Sequence, residues 1–400
     1  MAPLPTYNEA LNAALTNTVK VSTIESVDLA SAARRILAED IVADRDLPPF
    51  NRSQMDGYAV VASEVKSGVK MRVVGEVAAG ATFEGEYAPN TCVSIATGAP
   101  VPDCFDAVVQ HELTDKGSDV VEFHCDDVKQ GKSIHKQGVD AKAEDVLVAE
   151  HIKLAPQHIG IAASVGLHEI KVLSKPKVVV ITSGDEVIPP EETPLPHQIR
   201  NGNNAMVAAV FATLGCDVVD SHHVLDDPEA TEAAIAKSLD GHCDLVVTIG
   251  GVSAGKRDFF PATFANSGIE LAVKGANIQP GKPVIVGKHT NAVVLGLPGN
   301  PVSALVCCCV FGWPIVRKLQ GISPELPWQN APLATNVQPN PNRRCFRPCQ
   351  LVDGTVAVPT WQGSGDLVHT ATTHGLVQLP PSTIELREGE PVSCIAYPWV

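Results

Sequence analysis

Between residues 175 and 320, short and wholly apolar runs alternate with stretches of helical character, and this alternation constrains the fold more than any other feature of the chain. Val178–Thr182 runs directly into Ser183-Gly184-Asp185-Glu186. A helix is expected from about Asn203 to Leu214, stopped by Gly215, and then a strand over Val218–Val224. Asp227-Pro228 supplies an N-cap and a first-turn proline for a second helix that stops near Gly241. Leu245–Ile249 is again fully apolar and leads into Gly250-Gly251-Val252-Ser253-Ala254-Gly255, with a helix following to about Asn266. Strands at Val284–Val286 and Val293–Gly296 precede a helix from Val302. A strand that is apolar on both sides must be covered on both sides, and strands separated by helices pair in parallel. The expectation is an α/β unit with a doubly wound parallel sheet.

The flanking regions read differently. Ala10, Leu11, Ala14 and Leu15 recur at helical spacing and Leu29–Leu37 is alanine-rich, so residues 6–40 are expected to be helical. From Pro48-Pro49 to about Asp140 the chain breaks into short β-like runs, Met71–Val77, Cys92–Ala96, Ala107–Gln110 and Val120–His124, separated by Gly, Pro, Asn and Asp. Residues 141–172 form a connector with a small-residue helix at Ala155–Val165. The tail from about Pro324 is β-like again, at Phe346–Val352, Thr355–Pro359, Leu376–Leu379 and Val392–Ala396. The fold class is therefore α/β plus β, in several subdomains.

Charge and cysteine usage exclude several classes of function. Asp and Glu number 45 against 30 Lys and Arg, a formal charge of −15, so nucleic acid and anionic membranes are not expected partners. The eleven cysteines include no CxxC pair, and three are contiguous at Cys307–Cys309, which argues for buried thiols in a reducing, cytoplasmic compartment rather than a disulfide or zinc framework. Residues 289–316 carry no Asp, Glu, Lys or Arg, yet Pro298-Gly299-Asn300-Pro301 interrupts the run. A membrane span needs about 20 continuous apolar residues, so a buried strand, turn and helix are expected there instead.

In an open α/β sheet, ligands bind beyond the carboxyl ends of the strands. Four segments fall there: Thr182–Glu186, Asp226-Asp227, Gly250–Gly255 with Asp258 after it, and Leu297–Ala304, which contains Pro298, Gly299, Asn300, Pro301 and Ser303. Glycine loops let backbone N–H groups approach an anion, and the helix start behind each loop adds partial positive charge. Each segment alone has a plainer reading. Gly250–Gly255 also suits a tight turn, Asp227 suits a helix cap, and Asp185 and Glu186 suit a solvated loop. Carboxylates on the rim would repel a bare phosphate, and they make sense with Mg²⁺ between them and phosphate oxygens. Elsewhere, Asn51–Ala59 contains the turn signal Asp56-Gly57, and Thr97-Gly98-Ala99-Pro100 and Gly138-Val139-Asp140 form further clusters. Arg343, Arg344 and Arg347, with Gly363-Ser364-Gly365, are either a solvated strand face or an anion site.

The ordered set MDGYA (Met55–Ala59), ATGAP (Ala96–Pro100), TSGDE (Thr182–Glu186), DDPEA (Asp226–Ala230), GGVSAGKRD (Gly250–Asp258), PGKP (Pro280–Pro283), GLPGNPVSA (Gly296–Ala304) and QGSG (Gln362–Gly365) closely resembles the molybdopterin molybdenumtransferase (MoeA-type) family, which includes the C-terminal domain of gephyrin. The resemblance covers about residues 5 to 400. It implies an elongated homodimer whose subunits have an N-terminal helix at 1–22, a connector from 23–44 and 143–173, a β-rich module at 45–142, a molybdopterin-binding, adenylyltransferase-like α/β subdomain at 174–323 and a β-barrel-like domain at 324–400. It also implies a reaction in which adenylated molybdopterin and molybdate are converted, with Mg²⁺, to the molybdenum-loaded cofactor and AMP. The molybdopterin adenylyltransferase and acceptor molybdoenzymes are the implied partners.

By the same resemblance, Glu186, Asp226 or Asp227, and Asp258 hold the metal, while Asp56 and Thr97, supported by Asp140, close the cleft across the dimer. Ser183, Gly184, Asp185, Gly250, Gly251, Ser253, Gly255, Pro298, Gly299, Asn300, Pro301 and Ser303 cradle pterin and phosphate, and Lys282, Arg343, Arg347 and Ser364 donate to molybdate or phosphate. The chain departs from the family pattern at Gln279, where Lys is frequent, at Val139, where Glu is frequent, and at His135, where Arg is frequent. A Gln279→Lys variant is accordingly expected to respond to lower molybdate. Two other functions stay open at this level: adenylation of molybdopterin, and a non-catalytic, gephyrin-like scaffold.

Overall fold

The computed structural model describes residues 3–240, 243–252, 259–290, 292–360 and 362–400. The chain forms two compact units. One comprises residues 1–25, 34–36 and 172–400, and the other residues 26–33 and 37–171.

The first helix, α1 (Tyr7–Thr16), is shorter than its sequence suggests. Thr6 and Glu9 cap its start reciprocally, and Asn17 ends it. The expected helix at Leu29–Leu37 does not form. Ile24–Asp28 is a strand, and Arg34 takes a left-handed backbone with φ +67°. Ala32, Ile36 and Leu37 are buried one by one from an irregular segment, so alanine content there reflected burial rather than helix.

The second unit carries a five-stranded sheet made of β1 (Gly57–Val60), β2 (Lys70–Val77), β3 (Thr91–Ile95), β4 (Ala107–Gln110) and β5 (Val120–Glu122), in the order β4-β1-β3-β2-β5. Two clusters of buried side chains cover its faces, one around Met71, Val109 and Phe123 and one around Val77, Ile95 and Val108. Gly57 opens β1 against β4, where a Cβ would lie 2.0 Å from the Val109 carbonyl oxygen, so only glycine allows this close pairing. A short antiparallel pair, Arg52–Ser53 with Ile134–His135, lies beside the Asp56 turn.

In the first unit the α/β region contains β6 (Lys177–Ser183), α2 (Gly202–Thr213), β7 (Asp217–Val224), α3 (Pro228–Asp240), β8 (Leu245–Ile249), α4 (Phe260–Asn266), β9 (Glu270–Lys274), β10 (Ile285–His289) and β11 (Ala292–Leu297). The sheet order is β7-β6-β8-β11-β10-β9. The first four strands are parallel, as the alternation requires, whereas β10 and β9 run antiparallel to their neighbours, so the sheet is mixed rather than wholly parallel. The reason is connection length: β10 and β11 are separated by two residues, and antiparallel pairing is the geometry a connection that short permits. One face packs on α1, α2 and the helical stretch Pro301–Leu319, and the other on α3 and α4. That stretch, of mean hydropathy 1.6, is long and apolar enough to cross a membrane, but 83% of its apolar window is buried against the sheet. It contains a π-helical segment, Cys308–Gly312, and burial pushes the thiols of Cys307, Cys308 and Cys309 well above their usual range.

The tail adds β12 (Gln329–Pro332), β13 (Arg344–Val352), β14 (Thr355–Ala357), β15 (Gly375–Leu379) and β16 (Pro391–Ala396). The order is β13-β15-β16-β12, with Ile278–Gln279 added in parallel on the outer side of β13 and β14 also paired to β13. Leu333 bridges Val356, so the sheet curls back toward its own start without a full closing ladder. Phe346, Leu376 and Ile395 of this sheet bury into the same core as Tyr7 and Phe311.

Candidate active site

Three loops that follow parallel strands of the α/β sheet meet at one rim. After β6, Gly184 has φ +142°, and a Cβ there would lie 3.0 Å from Glu186 Oε2. After β8, Gly250 and Gly251 take φ +88° and +57°, the left-handed region that side chains disfavour. A Cβ on Gly250 would approach the Ser183 carbonyl oxygen at 3.2 Å, and one on Gly251 would approach Phe260 at 2.9 Å. After β11, a Cβ on Gly299 would stand in ordinary contact, 3.5 Å from Gly250 Cα, and Gly250 N–H donates to Leu297 O at 3.0 Å. Gly250 and Gly251 are therefore required by backbone conformation and close approach, and the three loops together form the wall of a cleft.

That cleft encloses about 640 Å³. Among the residues expected at the site, it is lined by Ser183, Gly184, Glu186, Asp226, Gly250, Gly251 and Pro298–Pro301. Ser364 joins from the tail: its Oγ accepts from Asn300 Nδ2 at 2.8 Å and its carbonyl accepts from Val302 N–H at 3.0 Å. Residues that sequence reasoning missed also line the cleft, chiefly Arg200, Asn201 and Asn203. Asn201 caps α2 by accepting from Asn204 N–H at 3.1 Å, and its Nδ2 donates to Thr182 Oγ1 at 2.7 Å. Asn203 Nδ2 donates to Gly299 O at 2.6 Å. The signal in the sequence was an Asn ahead of a helical run, a capping pattern that points to one rim once the strand before it is placed.

The acidic residues divide. Glu186 and Asp226 line the cleft, while Asp185 Oδ1 accepts from Asp226 N–H at 3.1 Å and so shapes the turn. Asp227 Oδ1 accepts from Ala230 N–H at 2.8 Å, the helix-cap role, and does not line the cleft. Ser253, Gly255 and Asp258 lie outside the described residues. Among the described residues no three His, Cys, Asp or Glu side chains cluster as a ready-made metal cage.

The expected cationic donors are not gathered in the cleft wall. Lys282 is exposed next to the lining residue Pro283, and Ser303 is buried in the first turn of its helix. Arg343 N–H donates to Asn340 Oδ1 at 3.0 Å. Arg347 Nη2 donates to Gln338 O at 3.1 Å, and its side chain borders a separate small hollow with Asp366 and His369. Gln279 is held through its acceptor: its Oε1 accepts from Asn340 Nδ2 at 2.7 Å and from Cys345 Sγ at 3.5 Å.

In the second unit, Asp56 Oδ1 accepts from Thr97 N–H at 2.7 Å and from Thr97 Oγ1 at 2.8 Å. The backbone bond, and then the hydroxyl bond, hold the Asp56 carboxyl below the usual carboxylate range. Asp140 receives His135 Nε2 at 2.9 Å on both oxygens.

Comparison with known proteins agrees with this organisation. Residues 5–166 match the MoeA N-terminal region (domain I and II), residues 179–318 a probable molybdopterin binding domain, and residues 330–397 the MoeA C-terminal region (domain IV). The molybdopterin molybdenumtransferase of Haemophilus influenzae is 36% identical over 77% of this chain and 75% of its own length. Molybdopterin molybdenumtransferase 2 of Mycobacterium tuberculosis is 34% identical over 91% of this chain and 93% of its own length. The crystal structure of the molybdopterin biosynthesis MoeA protein from Pyrococcus horikoshii OT3 superposes with a TM-score of 0.86 at 25% identity, covering 99% of this chain and 100% of that one. Matched in this way over most of its length, the chain belongs to the molybdopterin molybdenumtransferase (MoeA) family.

Proposed function

We propose that the protein is a molybdopterin molybdenumtransferase that converts adenylated molybdopterin and molybdate to the molybdenum-loaded cofactor with release of AMP. The observation that carries this reading is the meeting of three glycine-containing loops with the acidic residues Glu186 and Asp226 in the lining of one cleft. Backbone N–H groups freed of side chains suit phosphate and pterin edges. The donor set fits Mg²⁺, which takes one or two carboxylates and completes its shell with water and substrate phosphate oxygens. Glu186 and Asp226 would hold it, with Asp258 as the third candidate, and bound there it would polarise the phosphoanhydride. Pro298–Pro301 and Ser364 would position the pterin end, and Lys282, Arg343 and Arg347 would supply charge toward the oxyanion from outside the wall described above.

The resemblance further supports a homodimer in which Asp56, Thr97 and Asp140 of one subunit serve the cleft of its partner. It also supports the division of the chain at residues 22, 44, 142, 173 and 323. All eleven cysteines are unpaired thiols, which supports a cytoplasmic location. The molybdopterin adenylyltransferase and acceptor molybdoenzymes are the partners this chemistry calls for, since one must supply the adenylated substrate and the other take up the product.

Incubation of the purified protein with adenylated molybdopterin, Mg²⁺ and molybdate tests the reading, with AMP and loaded cofactor followed together. Glu186→Gln should slow AMP release on the order of a hundredfold, about 3 kcal/mol of lost transition-state stabilisation, while leaving the fold intact. Normal AMP release by that variant at saturating Mg²⁺ would remove Glu186 from the chemistry.

A further inference from the structure

The carboxylate of Asp140 is held in an unusual way. Its backbone is fixed by the main chain, since Asp140 N–H donates to Leu47 O at 2.9 Å and Gly138 N–H to Pro48 O at 3.0 Å. Its side chain is 52% exposed, and the one group gripping it is the imidazole of His135, whose own side chain is 26% exposed. His135 Nε2 stands 2.9 Å from Oδ1 and 2.9 Å from Oδ2, so a single N–H is shared between both oxygens. On the other side of the ring, Gln54 Nε2 lies 3.5 Å from His135 Nδ1. A carboxylate only accepts, so Nε2 carries the proton that faces it at 2.9 Å, and the Gln54 amide stands on the Nδ1 side of the ring, where it can donate.

The ring is in turn set by its strand. Arg52 pairs with His135 and Ser53 with Ile134, while Gln54 N–H donates to Ser133 O at 2.9 Å. The charged groups around it are Arg52 across the strand pair, Lys136 next in the chain, and the Asp46–Lys142 pair at 3.3 Å, which sits against Gly138. None of these bonds the Asp140 carboxylate, so among the described residues His135 sets its direction.

We propose that His135 is a positioning residue for Asp140: its Nε2–H, directed by Gln54, holds both carboxylate oxygens and aims the charge that Asp140 contributes to the reaction. The inference rests on the assignment of Asp140 to that reaction. A short carboxylate on an exposed loop end has free rotation about its side-chain bonds, and loss of orientation at a reacting group is costly in rate. The imidazole removes that freedom without itself touching substrate. Its action through Asp140 makes the two residues one unit, whose effects are non-additive.

The test is a double-mutant cycle on AMP release by the full-length protein, joined to a ring-nitrogen NMR spectrum of labelled histidine. His135→Ala should lower AMP release at saturating substrate by about ten- to a hundredfold, and His135→Gln, which keeps a donor near the Nε2 position, should restore most of it. In an Asp140→Asn background, His135→Ala should change nothing further. The NMR spectrum should show the Nε2–H tautomer for His135, and its signals should move on Asp140→Asn. Additive losses in the cycle, the Nδ1–H tautomer, or a normal rate for His135→Ala beside a slow Asp140→Asn would each overturn the inference alone. A normal rate for Asp140→Asn would instead overturn the role given to Asp140, and with it the need for anything to position. Because His135→Gln preserves volume and polarity, a folding failure of the alanine variant leaves the cycle decidable with Gln and with Leu at the same position.

Discussion

Asp56 shows how a single side chain is tuned by its neighbour. The Thr97 backbone N–H and hydroxyl both stabilise the charged form, so the folded carboxyl titrates below its unfolded value. The stabilisation it contributes is present above the unfolded value near 4 and is lost as pH falls through the lower folded value. Thr97→Val removes the hydroxyl bond and leaves the backbone bond, so the Asp56 pKa should rise part of the way toward the ordinary value. Carboxyl-carbon NMR of the two proteins across pH 2–6 measures this, and an unmoved titration would mean the hydroxyl does not bond the carboxylate in solution. Gln279 carries the opposite lesson. Its departure from the family pattern read as a missing cation, yet its carbonyl is the acceptor for Asn340, whose own Oδ1 receives the N–H groups of Asn342 and Arg343. Gln279→Lys therefore loses an internal bond worth about 1 kcal/mol. It should lower the melting temperature by about 2–4 °C and give no gain in molybdate response. Calorimetry with a molybdate titration checks both, and a stable variant with higher molybdate affinity would restore the simpler sequence reading.

Among elements, the loops after the parallel strands line the cleft, and their glycines differ in what they tolerate. Gly250 combines a left-handed backbone with close approach to Ser183, whereas Gly299 has no neighbour closer than ordinary contact. Gly250→Ala should cost about 1–2 kcal/mol from its backbone conformation alone and lower the melting temperature by several degrees. Gly299→Ala should melt near the wild type but narrow the cleft and weaken binding of adenylated molybdopterin. Paired melting and binding measurements separate the two, and equal melting temperatures for both variants would show that the Gly250 turn relaxes. The strands themselves were legible because a fully apolar run such as Leu245–Ile249 has few other places to go. The antiparallel β10 and β9 were not, since periodicity carries no direction. The segment 29–37 was misread because small buried residues look alike in a helix and in a packed loop.

At the scale of the whole molecule, the candidate residues fall in two compact units: Glu186, Asp226 and the glycine loops in one, and Asp56, Thr97 and Asp140 in the other. In the proposed dimer each cleft draws on both subunits. Mixing Asp56→Ala chains with Glu186→Ala chains should then recover part of the AMP release, because a hybrid dimer contains one cleft with neither change. A verified heterodimer with no recovery would count against assembly of the site across subunits. The net charge of −15 bears on the same scale, since in the proposed reaction anionic substrates would be drawn in by local N–H groups and metal rather than by the overall field.

The sequence by itself determined the α/β class, the loops that line the cleft and the family, because these depend on hydrophobic period, turn chemistry and ordered motifs that are local along the chain. Tertiary structure alone decided that Asp226 rather than Asp227 reaches the cleft, that Asn201 and Asn203 complete its wall, that Arg347 turns to Gln338, and that His135 grips Asp140. Each of these is a choice between partners distant or differently oriented in sequence. A carboxylate beside a helix start, or an arginine on a strand, has the same local signature whether it caps, packs or binds. Only the direction of the side chain, set by the packing around it, separates those outcomes.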